Sequence, residues 1–177
     1  MMEIFNETNG PFYRFGEIIY LNRIATARLR EYVQEAFIST GKEISEDICN
    51  RIIDTVENHP YYLQQFARNI WLISGKKVTV ADFSVAKEAL KSENLNFYNE
   101  LLDDLTNYQA GFLKALLNKE EKLYSSEVIY SYRLGSSANI RRMYNSFANK
   151  GIIVKEDNMI IFADPIFKLI AEERFIQ

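Results

Sequence analysis

Apolar residues recur at helical spacing along the first part of the chain, and polar or flexible residues interrupt them at regular intervals. Three stripes between residues 25 and 75 end at Gly41, at Asn58 and at Gly75, which are residue types that close helices. Ser45 stands before the second stripe, where its side chain would cap the first turn. The pattern predicts three short helices in this region.

The next stretch predicts two further helices. Thr79 would cap a fourth helix with an apolar face from Phe83 to Leu90, and a separate stripe from Phe97 to Leu105 predicts a fifth. Residues 25–105 are therefore predicted to form a helical bundle. Residues 1–24 are mixed in character, with an extended segment predicted over residues 17–21, and we separate them from the bundle.

The pattern changes after residue 105. Thr106 and Gln109 have the spacing of a capping box, and three apolar stripes at helical spacing follow. Two runs rich in β-forming residues, 152–154 and 159–162, flank a polar turn and predict a hairpin. Asp164 and Pro165 would then cap a last helix. This is the order of elements in a winged helix, so we predict a mainly α fold in which residues 106–177 form a winged-helix domain with one β-hairpin.

The segment between the second and third helices concentrates candidate chemistry. It reads Asn-His-Pro-Tyr-Tyr-Leu-Gln over residues 58–64. Pro60 ends one helix and suits the first position of the next, which predicts a stiff corner that holds His59 and the two tyrosines. Such a corner suits a ligand or an abutting domain. The alternative is a plain turn between helices with two half-buried tyrosines.

Composition removes several classes of function. The chain has a net charge of −3, one histidine and one cysteine, Cys49, so no zinc site of the usual kinds and no intrachain disulfide is expected. It contains no glycine-rich phosphate-binding motif and no nucleophile elbow, and we predict no catalysis by this chain alone. No apolar run reaches the length of a membrane span, and no secretory signal is present. A single thiol fits the reducing cytoplasm.

Charge is distributed unevenly. Residues 106–163 carry eight cations and five anions, a net charge of +3 in an acidic chain. Arg141 and Arg142 lie on the third helix of the predicted winged-helix domain, and Lys155 lies in its wing. Basic side chains at these places are candidates for contacts with nucleic-acid phosphates. A solvated protein face is the alternative interpretation.

Three separated motifs carry a resemblance to a known family. Residues 58–64 resemble the Gly-His-Pro-Tyr-Tyr-Leu-Gln motif of the archaeal-type ATPases in the signal-transducing STAND group of AAA-type proteins. Residues 105–109 resemble the Leu-Thr-x-x-Gln that opens the winged helix of that family, and residues 162–167 resemble its Phe-x-Asp-Pro-Ile/Leu-Phe. Residues 2–5 and 11–14 look like the segment after its sensor-1 strand. The motifs follow the order of the family across nearly the whole chain.

The resemblance implies that this chain is the C-terminal part of such an ATPase, without the core that binds ATP and Mg²⁺. It implies that the bundle is a lid over the nucleotide and that His59, Pro60 and Tyr61 face the adenine and the phosphates. Tyr61 stands where related ATPases carry a phosphate-sensing arginine, and Arg14 is a candidate to approach a phosphate from the sheet edge.

The leading hypothesis is a regulatory lid and winged-helix region of an ATP-dependent molecular switch, which has the missing ATPase core as its partner. The alternatives are a winged-helix transcription regulator that binds DNA and a protein-interaction module.

Overall fold

The computed structural model describes residues 24–156 and 159–176, and these residues are mostly helical. Four helices come first: α1 (Thr26–Ser39), α2 (Glu46–Thr55), α3 (Pro60–Ile73) and α4 (Val80–Asp103). Four helices and two strands follow: α5 (Asn107–Leu117), α6 (Ser126–Ser131), α7 (Ser137–Asn149), β1 (Ile153–Glu156), β2 (Met159–Phe162) and α8 (Pro165–Phe175). The predicted fold class, a helical bundle followed by a winged helix with one hairpin, is confirmed.

Capping side chains start most of the helices, as the sequence predicts. The Ser45 hydroxyl accepts from the backbone N–H of Ile48 at 3.3 Å, and Thr106 and Gln109 form both hydrogen bonds of a capping box. Ser136 caps α7, and one carboxylate oxygen of Asp164 accepts the N–H groups of the first turn of α8. Each cap satisfies backbone donors that have no partner inside their own helix.

One prediction about the helices is wrong. Residues 80–103 form a single helix of 24 residues, where the sequence pattern predicted two. Residues 91–96 between the two stripes contain no glycine or proline that would break a helix. The Asn94 side chain donates back to the carbonyl of Leu90 at 2.8 Å, and Glu93 accepts from Gln65 and Asn69 of α3. Contacts with the neighbouring helix thus hold the polar stretch in helical form.

The hairpin follows α7 directly and closes the winged-helix domain. β1 and β2 are antiparallel, with Ile153 opposite Phe162 and Glu156 opposite Met159. Ile153 and Phe162 turn inward and are buried, whereas Val154 and Lys155 are exposed. Burial therefore decreases along the hairpin from its base, at Ile153 and Phe162, towards its tip.

One apolar core runs through the bundle and the winged helix. Its fully buried side chains include Phe37, Phe66 and Ile52 in the bundle and Phe112, Phe147 and Phe167 in the second part. Helix α8 lies against both α4 and α5, so the last element of the chain joins the two parts. The predicted extended segment at residues 17–21 lies outside the described residues.

Candidate functional site

The corner between α2 and α3 has the predicted backbone. Glu57 and Asn58 adopt left-handed conformations with φ of 47° and 60°, which end α2. His59 is the extended residue before α3, and Pro60 is the first residue of that helix. The Asn58 side chain donates to the Thr26 hydroxyl at 3.0 Å, which ties the corner to the start of α1.

The corner directs its two tyrosines to opposite environments. The Tyr61 side chain is 64% exposed, whereas Tyr62 is only 8% exposed. His59 is half-buried rather than fully exposed, and its ring centroid lies 4.8 Å from that of Tyr62. Nδ1 of His59 is buried and has no hydrogen-bond partner among the described residues. Only Tyr61 therefore offers a large open aromatic surface at this corner.

Tyr62 contacts Asp164, the residue that caps the start of α8. Its hydroxyl donates to Oδ2 of Asp164 at 2.8 Å, and the hydroxyl of Tyr98 donates to the same oxygen. The two hydroxyl oxygens are 3.0 Å apart. Oδ1 of Asp164 accepts the backbone N–H groups of Ile166 and Phe167, both at 2.9 Å. One carboxylate thus joins α3, α4 and the first turn of α8.

The environment of this cluster keeps both phenols protonated. Burial raises the pKa of Tyr62 to about 12, and the hydrogen bond to Asp164 acts in the same direction. Burial, followed by the bonds to Asp164 and Tyr62, also raises the pKa of Tyr98. Neutral phenols can donate to a carboxylate, which is the arrangement that the geometry shows.

Three further ion pairs link the bundle to α8. Glu57 pairs with Lys168, Asp103 pairs with Arg174 at 2.6 Å, and Lys91 pairs with Glu173. The Lys91 side chain is only 9% exposed and also contacts Glu88 at 2.7 Å. In the sequence, Asp164 is recognisable as a helix cap and as part of the motif at residues 162–167. Nothing there marks Tyr98 or Lys91 as contacts of α8, because their partners are 66 and 82 positions away along the chain.

The candidate nucleic-acid contacts lie on the surface of the winged-helix domain. Arg141 and Arg142 are exposed on α7, and Lys155 is exposed on β1, which packs against α7. Within residues 24–156 and 159–176, none of the three takes part in an ion pair or a side-chain hydrogen bond. In the sequence, Lys155 is followed directly by two acidic residues, Glu156 and Asp157.

The remaining predictions concern Arg14, metal binding and membrane spans. Arg14 lies outside the described residues. In the described part of the chain, no cluster of three or more histidine, cysteine or acidic side chains has the arrangement of a metal site. No helix among those residues is both long and apolar enough to span a bilayer.

Comparisons with known proteins agree with the fold. Residues 96–173 match the model of a family described as "Probable winged helix domain". The match begins inside α4, whereas the sequence pattern put the boundary between residues 105 and 106, and that boundary stays a prediction. No curated protein matches the chain.

One solved structure shares the fold. A Walker-type ATPase of Pyrococcus abyssi superimposes with a TM-score of 0.66 at 16% sequence identity, over 94% of this chain and 47% of that one. This chain therefore spans about half the length of that ATPase. At this identity the likeness establishes a common fold. The second part of the chain is thus a winged helix, and the chain shares the fold of about half of a Walker-type ATPase.

Proposed function

We propose that this chain is the lid and winged-helix regulatory region of an ATP-dependent molecular switch and is not catalytic by itself. The main observation behind this proposal is that α8 docks onto the bundle. A shared apolar core, three ion pairs and the carboxylate of Asp164 join the two parts. A lid that moves when nucleotide is bound or released would therefore carry the winged helix with it, which is a rigid-body switch between two states.

The corner residues have distinct roles in this proposal. Tyr61 offers its exposed ring to the adenine, and Pro60 fixes the first turn of α3 so that this ring keeps its position. His59 supports the corner from the half-buried side and faces the phosphates with its remaining edge. Arg14 would approach a phosphate from the ATPase core. ATP and Mg²⁺ would be held by that core, and the protein would act in the cytoplasm.

The first test measures this chain alone. Titration calorimetry with Mg-ATP should give no binding tighter than about 1 mM, equivalent to about −4 kcal/mol, because the corner supplies one open aromatic ring and no phosphate loop. A micromolar dissociation constant would contradict the proposal.

The second test uses the coding sequence upstream of Met1. An in-frame phosphate-binding loop there would allow the intact protein to be compared with its Tyr61→Ala variant. We expect weaker nucleotide affinity in that variant and unchanged affinity in Arg68→Gln, an exposed residue on the same helix outside the motif at residues 58–64. An upstream sequence without such a loop would remove the ATPase proposal.

DNA binding is the second candidate, and Arg141 and Arg142 favour it because they are exposed and form no ion pair with any described residue. Fluorescence anisotropy with a duplex should show weak binding, in the range of about 10⁻⁴–10⁻⁶ M, that falls with salt. Arg141→Gln, Arg142→Gln and Lys155→Gln should each lower the salt slope by about one, and Arg68→Gln on the bundle should not. Nanomolar, sequence-dependent binding would favour a transcription regulator, and no binding at low salt would favour a protein partner.

A further inference from the structure

Tyr62, Tyr98 and Asp164 connect the bundle to the start of α8. We call these three residues the latch. Tyr62 and Tyr98 are 8% and 5% exposed, and both donate to Oδ2 of Asp164 from different helices of the bundle. A hydrogen bond to a charged group is stronger than one between neutral groups, and the burial of both tyrosines reduces competition by water. The latch is therefore a strong, directional contact between the bundle and α8.

Asp164 links the latch to the start of α8. Its second oxygen, Oδ1, accepts two backbone N–H groups of the first turn at 2.9 Å each. Because both oxygens belong to one planar group, a rotation that releases the tyrosines also disturbs the cap. Phe167, in the same turn, packs its ring 5.5 Å from that of Tyr98 and 6.2 Å from that of Phe162 on β2. A change at Asp164 would thus reach the hairpin.

The other end of the latch is part of the His-Pro corner. The Tyr62 ring lies 4.8 Å from His59 and 5.1 Å from Tyr61, both measured between ring centroids. All four residues from His59 to Tyr62 belong to the first turn of α3 or to its cap, and Pro60 restricts the backbone there. A displacement of the corner must therefore displace the Tyr62 hydroxyl.

We propose that Tyr62, Tyr98 and Asp164 form a conformational latch that transmits displacements of the His-Pro corner to α8 and, through Phe167, to the wing. This inference deepens the proposed function, and it rests on that function only for the ligand that would move the corner. Two of the ion pairs at the same interface are poor candidates for this task. The side chains of Glu57 and Asp103 are 37% and 65% exposed, and such pairs contribute little and are screened by salt.

Hydrogen–deuterium exchange of the whole chain, without nucleotide, tests whether the latch holds α8. The Tyr62→Phe/Tyr98→Phe double variant keeps both rings and removes both hydroxyls. It should speed exchange of the α8 amides at residues 169–174 by about tenfold or more. Asp164→Ser keeps a capping oxygen but cannot reach the tyrosines, and it should act on the same amides. Glu57→Gln, which breaks the exposed pair with Lys168, is the control and should change this exchange less than twofold.

A second comparison tests whether a displacement of the His-Pro corner is transmitted to α8. His59→Ala removes the ring that packs against Tyr62 but leaves both hydroxyls and the carboxylate of the latch in place. It should speed exchange in α8 by at least about threefold in the wild-type background and have no further effect in the Tyr62→Phe/Tyr98→Phe background, because interacting sites are not additive. Equal effects in both backgrounds, or an effect confined to α3, would overturn the inference. An effect of Glu57→Gln as large as that of the double variant would also overturn it.

This outcome is independent of the ATPase proposal, because no nucleotide takes part in the measurement. A latch that fails leaves the upstream phosphate-loop test unchanged. An upstream sequence without a phosphate loop leaves the exchange result unchanged.

Discussion

His59 combines a favourable ring contact with an unfavourable buried atom. Its ring packs on Tyr62, and an aromatic contact of this kind contributes about 0.5–1.5 kcal/mol. Its buried Nδ1 has no partner among the described residues, and an unsatisfied polar atom costs free energy. The two effects oppose each other, so we expect His59 to contribute little to the net free energy of folding. Its role at the corner then does not depend on a role in stability.

The opposing effects lead to a stability prediction. His59→Ala should lower the free energy of unfolding by about 1 kcal/mol or less, measured by urea denaturation. Gln64→Ala, exposed one turn further along α3, should leave it within about 0.5 kcal/mol. A loss of about 3 kcal/mol or more would make His59 a core residue and would contradict its role at the corner.

Three buried groups predict a loss of stability at high pH. Burial raises the pKa of Cys49 from 9.0 to about 11 and that of Tyr62 from 10.0 to about 12, and it also raises the pKa of Tyr98. The folded state holds these protons more tightly than the unfolded state does. Their contribution is therefore complete below about pH 9 and is lost as pH rises through the window from 9 to 12.

The alkaline loss can be assigned to a residue by urea denaturation between pH 8 and pH 11. Tyr62→Phe should start less stable and lose less stability above pH 10, where the unfolded Tyr62 begins to ionise. Tyr61→Phe makes the same chemical change at an exposed ring and should follow the wild-type slope. Equal slopes for Tyr62→Phe and the wild-type chain would show that Tyr62 is not held neutral by the fold.

At Gly111, α5 approaches Tyr132, the residue that caps the C-terminal end of α6. A Cβ atom added to Gly111 would lie 2.1 Å from the carbonyl oxygen of Tyr132, and that oxygen belongs to the backbone. A backbone atom cannot rotate away as a side chain can, so this glycine permits the close approach of the two helices. The absence of a side chain at one position therefore determines part of the winged-helix geometry.

Gly111→Ala should destabilise the chain by about 1–3 kcal/mol, although alanine is the better helix former. Thermal unfolding followed by circular dichroism would measure this. Gly75→Ala is the matched control, since Gly75 lies outside the helices, has no positive φ and leaves open space for a Cβ. It should be neutral or stabilise by up to about 1 kcal/mol. A neutral Gly111→Ala would show that α6 can move away without cost.

The elements that could be predicted from the sequence are those whose capping residues lie next to them along the chain. Ser45, Thr106 and Asp164 act on backbone donors two or three residues away, so their spacing alone predicts the helix starts. The continuity of α4 depended on Gln65 and Asn69, which hold Glu93 from 28 and 24 residues away. No pattern within α4 records those contacts. Its polar middle therefore looked like the end of one helix.

At the scale of the whole molecule, the least predictable feature is the docking of α8. The three ion pairs that link it to the bundle join residues 111, 82 and 71 positions apart. The motifs containing Tyr62 and Asp164 were both visible in the sequence, but nothing in either motif indicated that they meet. Helical periodicity identifies a buried face without identifying what covers it. The contact between the two parts could therefore be identified only from the structure.

The shared core predicts that the two parts unfold together. Phe167 is fully buried where α8 meets the bundle, so Phe167→Ala should lower the free energy of unfolding by about 3–5 kcal/mol. The chain has one tryptophan, Trp71, which lies on α3 and donates to the Thr40 hydroxyl at 2.9 Å, so its fluorescence reports on the bundle alone. Far-ultraviolet circular dichroism reports on all helices. If unfolding is cooperative, the two signals should change at the same urea concentration.

Phe167→Ala should shift both midpoints equally, even though Phe167 belongs to the winged-helix domain and Trp71 to the bundle. Tyr130→Ala, at a side chain that is 87% exposed on α6, is the control and should leave both midpoints within about 0.5 kcal/mol of the wild-type stability. A fluorescence midpoint that stayed in place while the dichroism midpoint fell would mean that the winged helix unfolds separately. In that case the lid and the winged helix would not move as one body, and the proposed switch would lose its mechanical basis.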